Sequence, residues 1–190
     1  MLILFASWFG STDEIAHEIA EELEKHKIRT EVFNLRDGVK LPPLEEFDGI
    51  IVGSGIKMGR WTKESYNFLR DYQITLNNKV LGLFVSSGEA ANPKTYAEAR
   101  KKYLENVMER TGIKADMIEA FGGIFDFSST SPYSFPEKKI IQKLAKSIEG
   151  GIIMNEDKLN DFRNWELIRD WANDFSHLVR TKDLIKSGRF

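Results

Sequence analysis

Hydrophobic positions along this chain switch between two spacings. The short apolar runs LILFA (residues 2–6), DGIIVGS (48–54) and KVLGLFVSS (79–87) have the character of strands buried on both faces. RTEVFNL (29–35) alternates and predicts a half-buried or edge strand, and ADMIEAFGGIFDF (115–127) predicts a fifth strand running into a glycine pair. Between them the spacing is helical. Residues 13–25 place Ile15, Ala16, Ile19, Ala20 and Leu23 on one face, and further helices are predicted over 62–73, 93–111, 136–149 and 162–180. Pro93 suits a first helical turn and Gly112 a helix end. Strand–helix alternation with near-continuous apolar strands predicts an α/β fold, a parallel sheet with helices on both faces; five strands in this length suit a flavodoxin-like doubly wound sheet, for which the order 2-1-3-4-5 is taken as the expectation. No repeat or linker divides residues 1–190, so a single domain is expected, with 128–161 as an insertion or extended region before the last helix.

In such a sheet, ligands bind outside the carboxyl ends of the strands, where the strand order reverses. The loops after strands one, three and four converge there. The first, Ser7–Thr12 (SWFGST), offers hydroxyls, backbone amides and the start of a helix, a combination that binds an anion without a basic side chain. Ser11 and Glu14 also match a capping box, S-x-x-E, which requires no ligand. The second, GSGIKMGRW (53–61), carries three glycines that permit close approach and positive φ, and an aromatic plane, Trp61. The third, SSGEAAN (86–92), is again small and glycine-bearing. Three small-residue loops at successive strand ends point to a ligand. The fingerprints GxGxxG and GxxxxGK[ST] are absent, which directs attention away from dinucleotides and ATP.

Composition narrows the chemistry further. The 190 residues hold no cysteine, so disulfides, thiolate metal sites, iron–sulfur clusters and thiol catalysis are excluded, and a cytoplasmic setting is expected. Three scattered histidines offer no zinc site. A net charge of −2 gives no reason to expect a nucleic-acid partner. The opening apolar run lacks a basic leader, and no run approaches the ~20 apolar residues of a bilayer span, so neither a signal peptide nor a membrane span is expected.

The stretch LILFASWFGSTDEIAHEIAEEL resembles the N-terminus of flavodoxins, especially the flavodoxin-domain group that includes flavodoxin-like protoporphyrinogen oxidases. VGSGIKMGRW and DFRNWELIRDWANDF resemble that group's second loop and C-terminal helix. The resemblance implies FMN, with Ser7, Phe9, Gly10, Ser11 and Thr12 around its phosphate. Trp8 is a departure, standing where flavodoxins usually have threonine or serine, and its indole either covers the ribityl chain or points away. The resemblance further implies that Ser54, Gly55, Ile56, Lys57, Met58, Gly59, Arg60 and Trp61 flank one side of the flavin ring. Ser86, Ser87, Gly88, Glu89, Ala90 and Asn92 would flank the other. The third loop lacks the tyrosine that stacks on flavin in many flavodoxins, which leaves Trp61 for that work or the ring more open.

Three functions follow as alternatives. The first is a redox protein passing electrons between partner proteins or quinones. A Met58–Gly59 peptide able to turn over would stabilise half-reduced flavin, although Gly59 is equally suited to closing a turn. Lys57 and Arg60, if they face the ring, would raise its potential, with Glu89 as a partial offset. The second is a protoporphyrinogen or quinone oxidoreductase with an apolar cleft lined by Phe125, Phe127, Tyr133 and Phe135. The third is a flavin-free binding module. Residues 136–149 form a basic amphipathic segment suited to weak membrane-surface contact or, more simply, to covering the core with a solvated lysine face. Phe162, Trp165, Ile168, Arg169 and Trp171 share helical register, their aromatics expected in the core, and the basic tail 180–189 reads as a solvated end.

Overall fold

A computed structural model of the protein describes residues 1–131, 134–147, 155 and 157–186. Five strands, β1 (Leu2–Ala6), β2 (Glu31–Asn34), β3 (Gly49–Gly55), β4 (Val80–Ser86) and β5 (Met117–Phe121), pair in parallel in the order β2-β1-β3-β4-β5. The expected doubly wound sheet is therefore present.

Apolar residues at odd and even positions of the strands feed two separate cores. Leu2, Leu4, Ile50, Val52, Leu81 and Leu83 pack under α2 (Lys63–Asp71) and the helical segment that begins with α4 (Tyr96–Arg100). Ile3, Phe5, Ile51 and Phe84 pack on the other face against α1 (Ser11–Lys25) and α7 (Trp165–Lys186). Burial on both faces is why these strands lack polar alternation. Gly82 makes room for the second core, since a Cβ there would lie 3.0 Å from both Phe175 and Trp171.

Several elements differ from the sequence expectation. The second helix is interrupted at Tyr72, and a short α3 (Gln73–Leu76) follows α2. The helix expected from Pro93 starts at Tyr96, widens into a π-helical turn over Lys101–Glu105, and resumes as α5 (Asn106–Thr111) before Gly112 at φ +71°. The long fifth strand breaks at Gly122 and Gly123. Its second half, β6 (Ile124–Asp126), leaves the sheet and pairs antiparallel with β7 (Leu159–Asp161), a strand the apolar pattern does not reveal because two of its three residues are exposed. A side chain at Gly122 would lie 2.1 Å from the Phe162 carbonyl, so ribbon and sheet meet backbone to backbone.

Helix α6 (Phe135–Ser147) lies between the two ribbon strands in sequence. Its Lys138 ammonium reaches the carbonyls of Phe127 and Ser128 at 3.2 and 2.7 Å. Residues 148 and 149 of the expected basic amphipathic segment, and 187–189 of the basic tail, lie outside the described residues.

Candidate functional site

The sheet register brings the three loops together. Ala6 lies beside Ser54, Gly55 beside Ser86, and Ser86 beside Phe121, so the chain leaves β1, β3 and β4 at one level. The Ile56 amide donates to the Ser86 carbonyl at 2.9 Å, tying the second loop to the third.

In the first loop, Gly10 precedes α1 at φ +87° with no side chain capping the helix. A Cβ at Gly10 would meet nothing within 4 Å, so glycine is needed for the left-handed turn and the space beside it is open. The Gly10 amide donates to Ser7 Oγ at 3.0 Å. The capping box suggested by Ser11 and Glu14 does not form. Ser11 is already the first residue of the helix, its hydroxyl pairs with Ser86 Oγ at 2.9 Å, and Glu14 is held by Arg163 at 2.8 Å. The first-turn amides are therefore left without a side-chain acceptor at the positive end of a 15-residue helix. Ser11 and Thr12 are buried beneath them.

In the second loop, Lys57 and Arg60 exchange backbone hydrogen bonds of 3.0 and 3.1 Å around Met58 (φ +51°) and Gly59 (φ +75°). Positive φ at both central residues defines a type I′ turn. Methionine rarely adopts this conformation, and Met58 holds it while 74% exposed, with no burial to offset the strain. Of the three loop glycines, only Gly59 uses positive φ. Gly53 instead lies under the Phe84 ring, where a Cβ would come within 2.2 Å, and a Cβ at Gly55 would lie 3.0 Å from Thr12 Oγ1.

Trp61 is not the open aromatic plane its position suggested. Its indole is buried in the first core and its N–H donates to the Tyr103 carbonyl at 2.6 Å, in the π-helical turn. Ser54 is likewise internal, its hydroxyl bonding the Thr62 amide and side chain at 2.9 and 3.1 Å.

The third loop folds on itself. Ser87 donates its amide to the Phe121 carbonyl and accepts the Ala90 amide, and buried Asn92 accepts the Lys94 amide at 2.9 Å. Asn92 thus shapes the loop from behind instead of facing outward. Glu89 pairs with Lys102 at 3.0 Å, not with Lys57 or Arg60.

Of the four aromatics expected to line a cleft, the three described ones have different surroundings. The Phe125 ring lies against Gly88, where a Cβ would be 2.4 Å from it, and edges onto Phe162. Phe127 is buried, Phe135 is exposed under Lys139, and Tyr133 lies outside the described residues. Phe162 precedes α7 instead of joining it; Ile168 and Trp171 enter the core, and Arg169 pairs with Glu18 at 2.9 Å.

Two arginines far from the loops in sequence complete the site. Arg36, after β2, donates to the Ser7 carbonyl at 2.8 Å and sits 4.3 Å over the Trp8 ring, while Lys57 lies 5.0 Å from the same ring and 4.9 Å from Phe9. Two cations therefore lie against the Trp8 ring at the rim. Arg163 follows β7, with its side chain only 4% exposed. It binds Asp161 through Nε and Nη2 at 2.8 and 2.7 Å and Glu14 in the first turn of α1. Burial works against its charge, yet the two carboxylates hold its pKa above the ordinary value. Only the β2–β1 register and the β6–β7 ribbon bring these arginines to the site, so no local pattern announces either.

Comparison with known proteins agrees with this architecture. The family described as Flavodoxin domain matches residues 2–152, and the chain belongs to it. A curated relative, Protoporphyrinogen IX dehydrogenase [quinone] of Escherichia coli strain K12, is 22% identical over 94% of this chain and 95% of its own length. Among solved structures, oxidised Flavodoxin 2 from Bacillus cereus is 20% identical with a TM-score of 0.54, covering 93% of this chain and 97% of that one. A flavodoxin from the domain Archaea is 18% identical with a TM-score of 0.51, covering 95% of this chain and 99% of its own. Among the described residues, no helix is long and apolar enough to cross a membrane.

Proposed function

We propose that this member of the flavodoxin domain family binds FMN at the three loops and passes electrons between partner proteins or to a quinone. The observation that carries the reading is the uncapped start of α1 behind Gly10, open in front and floored by the Ser11 and Thr12 hydroxyls. Neutral donors at a helix N-terminus suit a phosphate monoester. When bound, FMN supplies the one- and two-electron chemistry.

The chain's own residues would perform the rest. First-turn amides hold the phosphate, and the Lys57–Arg60 hairpin and the 86–92 loop flank the ring from its two sides. The buried Ser54, Ser65 and Thr62 network keeps the second loop in place, with Ser65 Oγ donating to the Gly53 carbonyl at 2.8 Å. Arg36 and Lys57 set a positive potential at the rim.

The test is FMN and riboflavin titration of the apoprotein, followed by stepwise anaerobic reduction of the loaded protein. Tight FMN binding with much weaker riboflavin binding is expected. Equal affinity for the two would reject the phosphate placement, and no affinity for either would leave the flavin-free binding module.

A second reading, oxidation of a porphyrinogen with a quinone as acceptor, is favoured by the near-full-length match to the Escherichia coli dehydrogenase. Turnover of protoporphyrinogen with a quinone by the loaded protein would establish it, and absence of turnover would leave the electron carrier.

A further inference from the structure

The edge of the site nearest solvent has a charge and a texture that the binding of FMN does not require. The first loop contains no acidic residue, and IKMGRWTK (56–63) carries three cations and no acid. Arg36 arrives from β2, with Glu64 3.8 Å from its Nε. Among these cations stand Trp8, 40% exposed, and Met58, 74% exposed. Arg36 and Lys57 both lie against the Trp8 ring, cation–π contacts that favour an indole kept at the surface. The whole chain has net charge −2, so this basic rim is a local feature and not the by-product of a basic protein.

Exposed aromatic, methionine and arginine groups ringed by charge are the composition of a protein–protein contact centre. The strained type I′ hairpin holds Met58 outward, as a docking contact and not a pocket wall would need.

We propose that this rim docks an acidic redox protein, and that complementary charge sets the rate at which the two meet. The proposal rests on the reading that the loops hold FMN. Each productive encounter passes one electron from the partner's reduced centre to the flavin, and two encounters with two protons from solvent complete its reduction. Salt should slow such association by screening, most strongly at low ionic strength.

The experiment uses the FMN-loaded protein, an acidic [2Fe–2S] ferredoxin as donor and, separately, a basic cytochrome c as acceptor. Second-order rate constants are taken by stopped flow against ionic strength and normalised to bound flavin. With ferredoxin, a fall of about tenfold between roughly 20 and 200 mM salt is expected, and with cytochrome c none. Lys57→Glu should lower the ferredoxin rate at low salt by about tenfold and Lys63→Glu by about threefold, both variants raising the cytochrome rate. A ferredoxin rate indifferent to salt and to both variants, or slowing by salt confined to cytochrome c, would overturn the proposal.

Protein that takes up no FMN would refute the cofactor reading separately. The surface is then judged by calorimetric titration of the apoprotein with oxidised ferredoxin. Binding that salt weakens upholds it, and no binding overturns it.

Discussion

The first and second loops meet the same space by opposite means. The first is receptive because groups are left over: Gly10 opens the turn, no side chain caps α1, and the amides point outward. The second has little left over. Its hairpin closes its own hydrogen bonds, Ser54 and Thr62 consume each other, and Trp61 is spent on Tyr103. What it offers is a shape, held at a cost in backbone strain at Met58. A ligand bound by the first loop would be gripped by hydrogen bonds and the helix dipole, and one bound by the second would be flanked by a fixed outline with cations along its edge.

That contrast breaks most completely at Gly10. Gly10→Asp adds a side chain at φ +87° and a negative charge beside the amides; loss of at least a hundredfold in FMN affinity is expected, with riboflavin affinity falling far less. Comparable losses for both ligands would show that the turn has collapsed.

A smaller effect is expected at Arg163, which draws the Glu14 carboxylate to itself at the phosphate end of α1. Arg163→Met should weaken FMN binding about tenfold by releasing that negative charge, and adding Glu14→Gln should restore most of it. Lack of restoration would assign Arg163 a purely structural place.

The second loop should respond in stability more than in phosphate affinity. Gly59→Ala forces a side chain to φ +75° and should cost about 1 kcal/mol, whereas Met58→Gly relieves strain and should fall within about 0.5 kcal/mol of neutral. Urea denaturation of the apoprotein separates these two outcomes.

The smallest effect concerns Tyr103, which lies beneath the same hairpin and whose phenol burial pushes up to about 12. The folded state holds this proton more tightly than the unfolded chain, so its contribution is complete below pH 10 and is lost progressively as pH rises from 10 through 12. Denaturation midpoints that begin to fall near pH 10, together with delayed phenolate absorbance, would report it.

The sheet was legible because strands buried on both faces carry unbroken apolar runs, and their alternation with helices pointed to parallel pairing, while the strand order was taken from the doubly wound fold that five such strands suit. The loops were legible as small-residue strand ends. Side-chain directions were not. Trp61 carries the same letter whether it faces a ligand or the Tyr103 carbonyl, and the π-helical turn that presents that carbonyl has no periodicity of its own. Ser11 and Glu14 satisfied a local capping pattern, but distant partners, Ser86 and Arg163, bind them instead. The break at Gly122 and Gly123 was visible as a glycine pair, while its consequence depended on a three-residue strand more than thirty positions away.

That ribbon has a consequence for the order in which the molecule takes shape. The five-stranded sheet closes through strand–helix–strand units of moderate length. The β6–β7 pair must instead await a long excursion of chain before Phe125 meets Asn160, and loop closure charges entropy for that delay. Arg163 reaches Glu14 only once this late piece has arrived. The helix start that would grip a phosphate is therefore finished electrostatically by a contact made across 149 residues of chain, a closure that costs more entropy than any strand–helix–strand step of the sheet.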